Sequence, residues 1–263
     1  MNYLFNYLPR LSVALAGEKS VRALLLYIVF VYFVFSRILF TSLRKRDYII
    51  RGIHHGKQVI YRLNQPIDTA PLIEVYVFRE YDWDCGFIPQ TILDLGAHFG
   101  DTALYYNAVY PNAKIIAVEP DPANFARLKK NVAAYKNIIP VHCAVGPENG
   151  TATLFLAQNG LGHSTAERKE SHGSVQVMQA TLDEILSEQG LESVDLLKFD
   201  IEGAETVLFK NSTLAQKSRA FIGELHFDLN SELKMEDIND RFKDLSVTLV
   251  PTLKKTRFIL KAV

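Results

Sequence analysis

Thr91-Ile-Leu-Asp-Leu-Gly-Ala-His-Phe-Gly100 decides the fold. Thr91–Leu95 is an apolar run of strand length. Gly96 then breaks it, and a helical pattern runs from Asp101 to Val109, stopped by Pro111. Strand, glycine turn and helix repeat downstream. Lys114–Val118 is a second apolar strand. Pro122–Tyr135 is a second helix, with proline near its start and Lys129 and Lys130 near its end, where the helix dipole favours cations. Ile138–Val145 supplies a third strand. Thr151–Ala157 and Ser174–Ala180 read as strands around a polar loop, Asn159–Gly173. Thr181-Leu-Asp-Glu184 has capping-box spacing and opens a helix. Val194–Phe199 and Ala220–Leu225 are buried strands, with a helix over Ala204–Asn211 between them. The tail offers strands at Ser246–Leu249 and Arg257–Lys261. Alternating strands and helices predict an α/β, doubly wound and mostly parallel sheet.

Upstream, Tyr48–Arg51 and Gln58–Arg62 suit a hairpin turning at His54-His55-Gly56, followed by a helix over Pro71–Tyr81. His54 and His55 are neighbours in sequence, so strand geometry would point them to opposite faces, and no metal is assigned there. Three segments follow: residues 1–45 with apolar and amphipathic helices, residues 46–90 as lead-in, and residues 91–263 as the main domain.

In doubly wound sheets ligands sit beyond the carboxyl ends of the strands. Chemistry-bearing residues stand at those ends here. Asp94-x-Gly96-x-x-x-Gly100 follows the first strand, with an acid able to accept from loop amides or a ligand ammonium. It lacks the GxGxxG spacing that lays a pyrophosphate on a helix start. The second strand ends at Glu119-Pro120, where a carboxylate suits ribose hydroxyls. An adenosine ligand with a cationic end and no phosphate fits, and S-adenosylmethionine is such a ligand. The expected cofactor residues are Asp94, Gly96, Ala97, His98, Gly100, Asp101, Glu119 and Pro120, Ala144 flanking the adenine, and Asp200 near the methyl group.

Leu196–Glu205 (LLKFDIEGAE) is the densest charged cluster. Lys198 and Asp200 share a strand face, and a lysine in a buried strand needs an acidic partner from Asp200, Glu202 or Glu205. Gly223-Glu224-Leu225-His226 ends the next strand, with Glu224 and His226 on one face. His226 is a candidate general base, with Glu224 orienting it. Asp200, His226, Lys198 and Glu224 form the expected catalytic set. Asp200, Glu224 and His226 are able to gather a divalent ion, but their spacing does not dictate one, and no metal is assigned. His163 and Ser164 lie in the polar loop that would cover an acceptor.

Lys+Arg and Asp+Glu both total 29, so no net basic field draws the chain to nucleic acid. Cys85 and Cys143, without CxxC spacing, give neither a disulfide framework nor a zinc signature and read as reduced buried thiols. Val21–Phe40 (VRALLLYIVFVYFVFSRILF) is an apolar helix interrupted only near Ser36 and Arg37, and Arg44, Lys45 and Arg46 follow it. It suggests membrane association through residues 21–40, with the catalytic domain on the cytoplasmic side; without it the expected location is cytoplasmic.

Asp94–Tyr106 (within ILDLGAHFGDTALYY), VEPDPANFARLKKNV, HCAVG, LLKFDIEGAE and IGELH stand in the order found in the FkbM-type S-adenosylmethionine-dependent methyltransferase family, which the chain resembles over roughly Tyr48–His226. The resemblance implies a class I methyltransferase (Rossmann-like) fold of seven strands, the last antiparallel. It implies O-methylation of a hydroxyl on a sugar, lipid-linked or natural-product acceptor, a small molecule or a glycan. His98 departs from the asparagine common in that family, which bears on contacts near the methionine end. Two other activities share such a loop: a nicotinamide-dependent oxidoreductase, against which the missing GxGxxG counts, and a non-catalytic adenosine-binding or membrane-scaffold module.

Overall fold

The computed structural model describes residues 48–263, apart from 65–67, 77, 158–162, 166–170, 212, 230–231 and 253–256. The apolar helix expected over residues 21–40, and the rest of the 1–45 segment, lie outside the described residues. Among the described residues no helix is long and apolar enough to cross a membrane. The chain groups into two compact units, Met1–Trp83 and Asp84–Val263.

In the first unit, β1 (Tyr48–His54) and β2 (Lys57–Leu63) pair antiparallel, and α1 (Thr69–Tyr76) follows. The hairpin needs a left-handed turn, and His55 and Gly56 supply it at φ 44° and 74°. The turn also brings the His54 and His55 rings into edge contact at 4.5 Å, rather than onto opposite faces. The helix ends well before the expected Tyr81.

The second unit runs in chain order through β3 (Thr91–Leu95), α2 (Asp101–Val109), β4 (Lys114–Val118), α3 (Pro122–Val132), β5 (Ile138–Val141), β6 (Ala144–Val145), β7 (Gly150–Ala157), β8 (Ser171–Ala180), α4 (Leu182–Ser187), β9 (Val194–Phe199), α5 (Glu205–Lys210), β10 (Ser218–His226), α6 (Met235–Arg241), β11 (Val247–Pro251) and β12 (Arg257–Ala262). Seven strands form one sheet in the order β11-β12-β10-β9-β3-β4-β5. β3, β4, β5, β9 and β10 are mutually parallel, and β12 enters antiparallel between β10 and β11. β3 and β4 each bury four of their five residues, as strands covered on both faces must. Leu93, Leu197, Phe221 and Leu260 lie in the main core and are fully buried, each worth about 1.5–3 kcal/mol relative to exposure.

Local chemistry sets the helix starts. Asp121 caps α3 by accepting from Asn124 N at 2.7 Å, with Pro122 opening the helix. Thr181 caps α4 by accepting from Glu184 N at 3.1 Å. The stretch Ile138–Val145 contains the expected third strand as β5 and, in a different sheet, the short β6. β5 closes the large sheet, while β6 joins β7 and β8 in a three-stranded sheet of its own.

Strand order reverses on the two sides of β3. From β3 the chain moves outward through β4 to β5, then returns to β9 on the other side. The carboxyl ends of β3, β4, β9 and β10 therefore meet at the switch point, where such sheets bind ligands.

Candidate active site

The loop after β3 is built from its backbone. Gly96 N and Ala97 N both donate to Val118 O, at 3.0 and 2.9 Å, locking the loop to the end of β4. Gly96 has φ 80°, and a Cβ added there would stand 1.9 Å from the carbonyl oxygen of Asp200. Only glycine lets the two loops touch. Asp200 N donates in turn to Leu95 O at 3.0 Å. The turn after β3 and the turn after β9 thus form one backbone junction.

Asp94, read from the sequence as an acceptor for loop amides or a ligand ammonium, turns inward in the structure. Its carboxylate is fully buried, 3.0 Å from Lys198 Nζ, and accepts from Thr102 Oγ1 at 2.5 Å. Lys198 Nζ also donates to Gly96 O at 2.9 Å. Lys198 therefore finds its acid in Asp94, not in Asp200, Glu202 or Glu205, and it fastens the glycine loop from below. Burial works against its charge, but the Asp94 and Asp200 carboxylates outweigh burial and hold its pKa above the usual lysine range. Its ammonium is thus enclosed between the Asp94 carboxylate and the Gly96 carbonyl.

Glu119 ends β4 with one carboxylate oxygen accepting from His98 N at 2.8 Å and the other from Asp121 N at 2.9 Å. Each oxygen keeps a lone pair for a hydroxyl donor. Burial pushes its pKa up to about 7, against the opposing pull of His98 and the two amides. His98 is left-handed at φ 49°, its ring 3.3 Å from Arg127 and 3.7 Å from Asp101. Gly100, at φ 94°, precedes α2, whose first residue is Asp101.

Pro120 O lies 3.1 Å from His142 Nε2, and the His142 ring stacks on Phe125 at 4.4 Å. Ala144, expected beside an adenine, packs instead into the core of the small sheet with Leu154 and Val177. His142, two residues earlier and exposed, is the group presented at that strand exit. His163 stands 4.0 Å from Asp121, and Ser164 is buried in a bridge with Phe155.

At the ends of β9 and β10 lies an acidic cluster centred on His226, which is fully buried. Its Nδ1 is 2.6 Å from Glu205 Oε1. The residue orienting His226 is therefore Glu205, not Glu224. On the other side of the ring, Nε2 faces Glu224 at 3.4 Å and Asp200 and Glu202 at 3.6 Å each. Arg257 reaches in from β12, 3.9 Å from both Glu202 and Glu224, while its Nε donates to Asp228 at 3.0 Å. Burial alone would push the His226 pKa down, but the Glu202 and Glu205 carboxylates reverse that and hold it well above the usual histidine value. The Asp200 and Glu224 side chains in this cluster are partly exposed, whereas His226 is enclosed.

Sequence reasoning missed Glu202, Glu205 and Arg257 as members of this cluster. Glu202 and Glu205 were visible as acids in LLKFDIEGAE, but the left-handed turn at Glu202 (φ 51°) that aims them is not readable from residue alternation. Arg257 comes from a strand far along the chain, and nothing local signals it.

A seven-stranded sheet of order β11-β12-β10-β9-β3-β4-β5, with a glycine loop and an acid at its switch point, defines a class I methyltransferase. Residues 94–247 match the methyltransferase FkbM domain model, more than half of the chain, and the chain belongs to that family. It is 30% identical over 176 residues to methyltransferase sdnD of Sordaria araneosa, a match covering 54% of this chain and 68% of that protein. It is also 30% identical over 132 residues to the 2-O-methyltransferase NoeI of Sinorhizobium fredii (strain NBRC 101917 / NGR234), covering 44% of this chain and 54% of NoeI. The crystal structure of methyltransferase FkbM from Methylobacillus flagellatus KT aligns with a TM-score of 0.48 at 13% identity, over 89% of this chain and 60% of that one.

Proposed function

We propose that this chain transfers the methyl group of S-adenosylmethionine to a hydroxyl oxygen of a small-molecule or glycan acceptor. The observation that carries the reading is the junction of Gly96 with Asp200, which holds a donor loop directly against an acidic cluster.

The residues present fit this donor. Glu119 offers free lone pairs to the ribose hydroxyls, the loop has no cradle for phosphate, and the exposed His142–Phe125 stack offers a flat face on the adenine side. The Gly96–Gly100 backbone would hold the methionine end of the donor, and Asp200, beside that loop, would face the acceptor. The bound donor supplies an electrophilic methyl on a sulfonium sulfur. The protein's part is to hold both reactants in line and to exclude water. Asp200 orients the acceptor hydroxyl, and Asp200 or Glu224 takes its proton. Lys198, Asp94 and Thr102 keep the donor loop in register from below. Oxygen as the acceptor atom draws support from NoeI, whose name records 2-O-methylation. The apolar run at residues 21–40 favours an acceptor at a membrane surface, a reading that fails if the full-length protein stays in the soluble fraction.

Calorimetry with S-adenosylmethionine tests the donor half. Wild type should bind, and Glu119→Ala should weaken binding about tenfold or more, the loss of hydrogen bonds from two ribose hydroxyls at about 1 kcal/mol each. Absence of binding by folded wild type overturns the proposal. Acceptor screening tests the other half, and a product methylated on nitrogen or carbon refutes the hydroxyl assignment.

A further inference from the structure

We propose that Asp200, Glu202 and His226 hold a divalent cation at the acceptor side of this site. The inference rests on the methyltransferase reading for its purpose but not for its geometry. One ligand atom from each of the three residues lies within 4.8 Å of the others.

The state of His226 carries the case. It is fully buried, and its Nε2 makes no well-formed hydrogen bond, its nearest carboxylate being Glu224 at 3.4 Å. A buried imidazole nitrogen without a well-formed hydrogen bond is costly unless something else occupies its lone pair. Nδ1 is held by Glu205 at 2.6 Å, which fixes the ring and aims Nε2 into the cluster. A carboxylate behind a histidine in this way is the usual support of a metal-binding imidazole.

The spacing around Nε2 suits an ion better than a proton. A charge-assisted hydrogen bond would draw one acceptor to about 2.7–2.9 Å. Here three carboxylates stand back at 3.4, 3.6 and 3.6 Å. Two donors 3.6 Å apart, each about 2.1 Å from an ion, subtend roughly 120° at it. That leaves positions open for water or for an acceptor's oxygens. Glu224 stands next to the three ligands, in reach of water or acceptor on the ion.

Charge agrees. Asp200, Glu202, Glu205 and Glu224 converge on His226, with the guanidinium of Arg257, itself engaged with Asp228, near Glu202 and Glu224, and the Lys198 ammonium near Asp200. A dication would offset that acidic excess. Two carboxylates and one imidazole suit Mn2+ and related first-row divalent ions. Bound there, the ion would orient an acceptor hydroxyl and lower its pKa.

The test uses the full chain, stripped with EDTA and titrated with MnCl2 by electron paramagnetic resonance and calorimetry. S-adenosylmethionine binding is measured separately on the same samples. The expected result is one Mn2+ per chain. Glu205→Gln should weaken it 10–100-fold by loosening His226, and Asp200→Asn and Glu202→Gln at least as much. Circular dichroism should report all three as folded. Wild type that binds S-adenosylmethionine but no Mn2+ overturns the cation proposal and leaves the methyltransferase reading standing. Mn2+ binding undiminished in folded Asp200→Asn and Glu202→Gln also overturns it. Stoichiometric Mn2+ binding that those variants abolish upholds the cation site even if S-adenosylmethionine fails to bind, in which case the methyltransferase reading is the one that falls.

Discussion

Replacing Lys198 with methionine removes the charge from a deeply enclosed ion pair in the site while keeping most of the side chain's volume. Asp94 would then face the interior with the Thr102 hydroxyl and without its cation, since its carboxylate is fully buried and Lys198 is 2% exposed. Leaving one member of a buried pair alone costs about 3–5 kcal/mol. Against a typical domain stability of about 5–15 kcal/mol, that is a large share. For a chain of this size each kcal/mol moves Tm by about 2–4 °C, so the drop should be roughly 6–20 °C. The Gly96 carbonyl also loses its donor, so S-adenosylmethionine affinity should fall with stability. The double variant Lys198→Met/Asp94→Asn removes the stranded charge and should recover much of the stability, while the loosened loop leaves cofactor affinity low. Urea melts by circular dichroism and calorimetry read both effects. A Lys198→Met cost below about 1 kcal/mol, or a double variant no more stable than the single, refutes the reasoning.

Gly96→Ala should be among the most damaging small changes in the site. It places a Cβ 1.9 Å from the Asp200 carbonyl and demands φ 80° of a residue with a side chain. A loss of at least about 2 kcal/mol and of measurable cofactor binding is expected, and wild-type melting with wild-type affinity would contradict the junction. Glu119 predicts a pH dependence. Its folded pKa, raised to about 7 above an ordinary value of 4.5, means the fold favours the protonated acid. Its contribution to stability is therefore full below pH 4.5 and is lost as pH rises through 7. Ribose hydroxyls donate to the charged form, so affinity should rise about tenfold from pH 6 to pH 8 with release of a proton. A wild-type affinity flat over that range, or a slope unchanged in Glu119→Gln, would rule this out.

The strands and helices that frame the donor loop were legible because burial on both faces leaves unbroken apolar runs. Thr91–Leu95, Asp101–Val109, Lys114–Val118 and Val194–Phe199 have the expected bounds. β8 starts earlier than its pattern suggested, because His172, Gly173 and Ser174 are exposed and polar residues on a solvent-facing strand resemble a loop. α6 was missed: of its seven residues only Ile238 is buried, too little for a helical stripe. In the site, Glu119, Asp200 and Glu224 were legible as acids at strand ends. Partnerships were not. Alternation along a strand says which residues share a face, but Asp94 meets Lys198 across neighbouring strands, and Glu205 meets His226 from the start of a helix. Those pairings depend on strand order, which a single sequence shows only as topology and not as contact.

Arg257 gives the site a dependence on time as well as on space. It sits on β12, the strand that follows every other strand in chain order and slots between β10 and β11. During synthesis the donor loop, the carboxylates and His226 all emerge before the guanidinium that faces them. A nascent chain halted before β12 would carry an acidic cluster lacking that counter-charge, at an open strand edge. Insertion of β12 covers that edge of β10 and brings Arg257 to the cluster in one event.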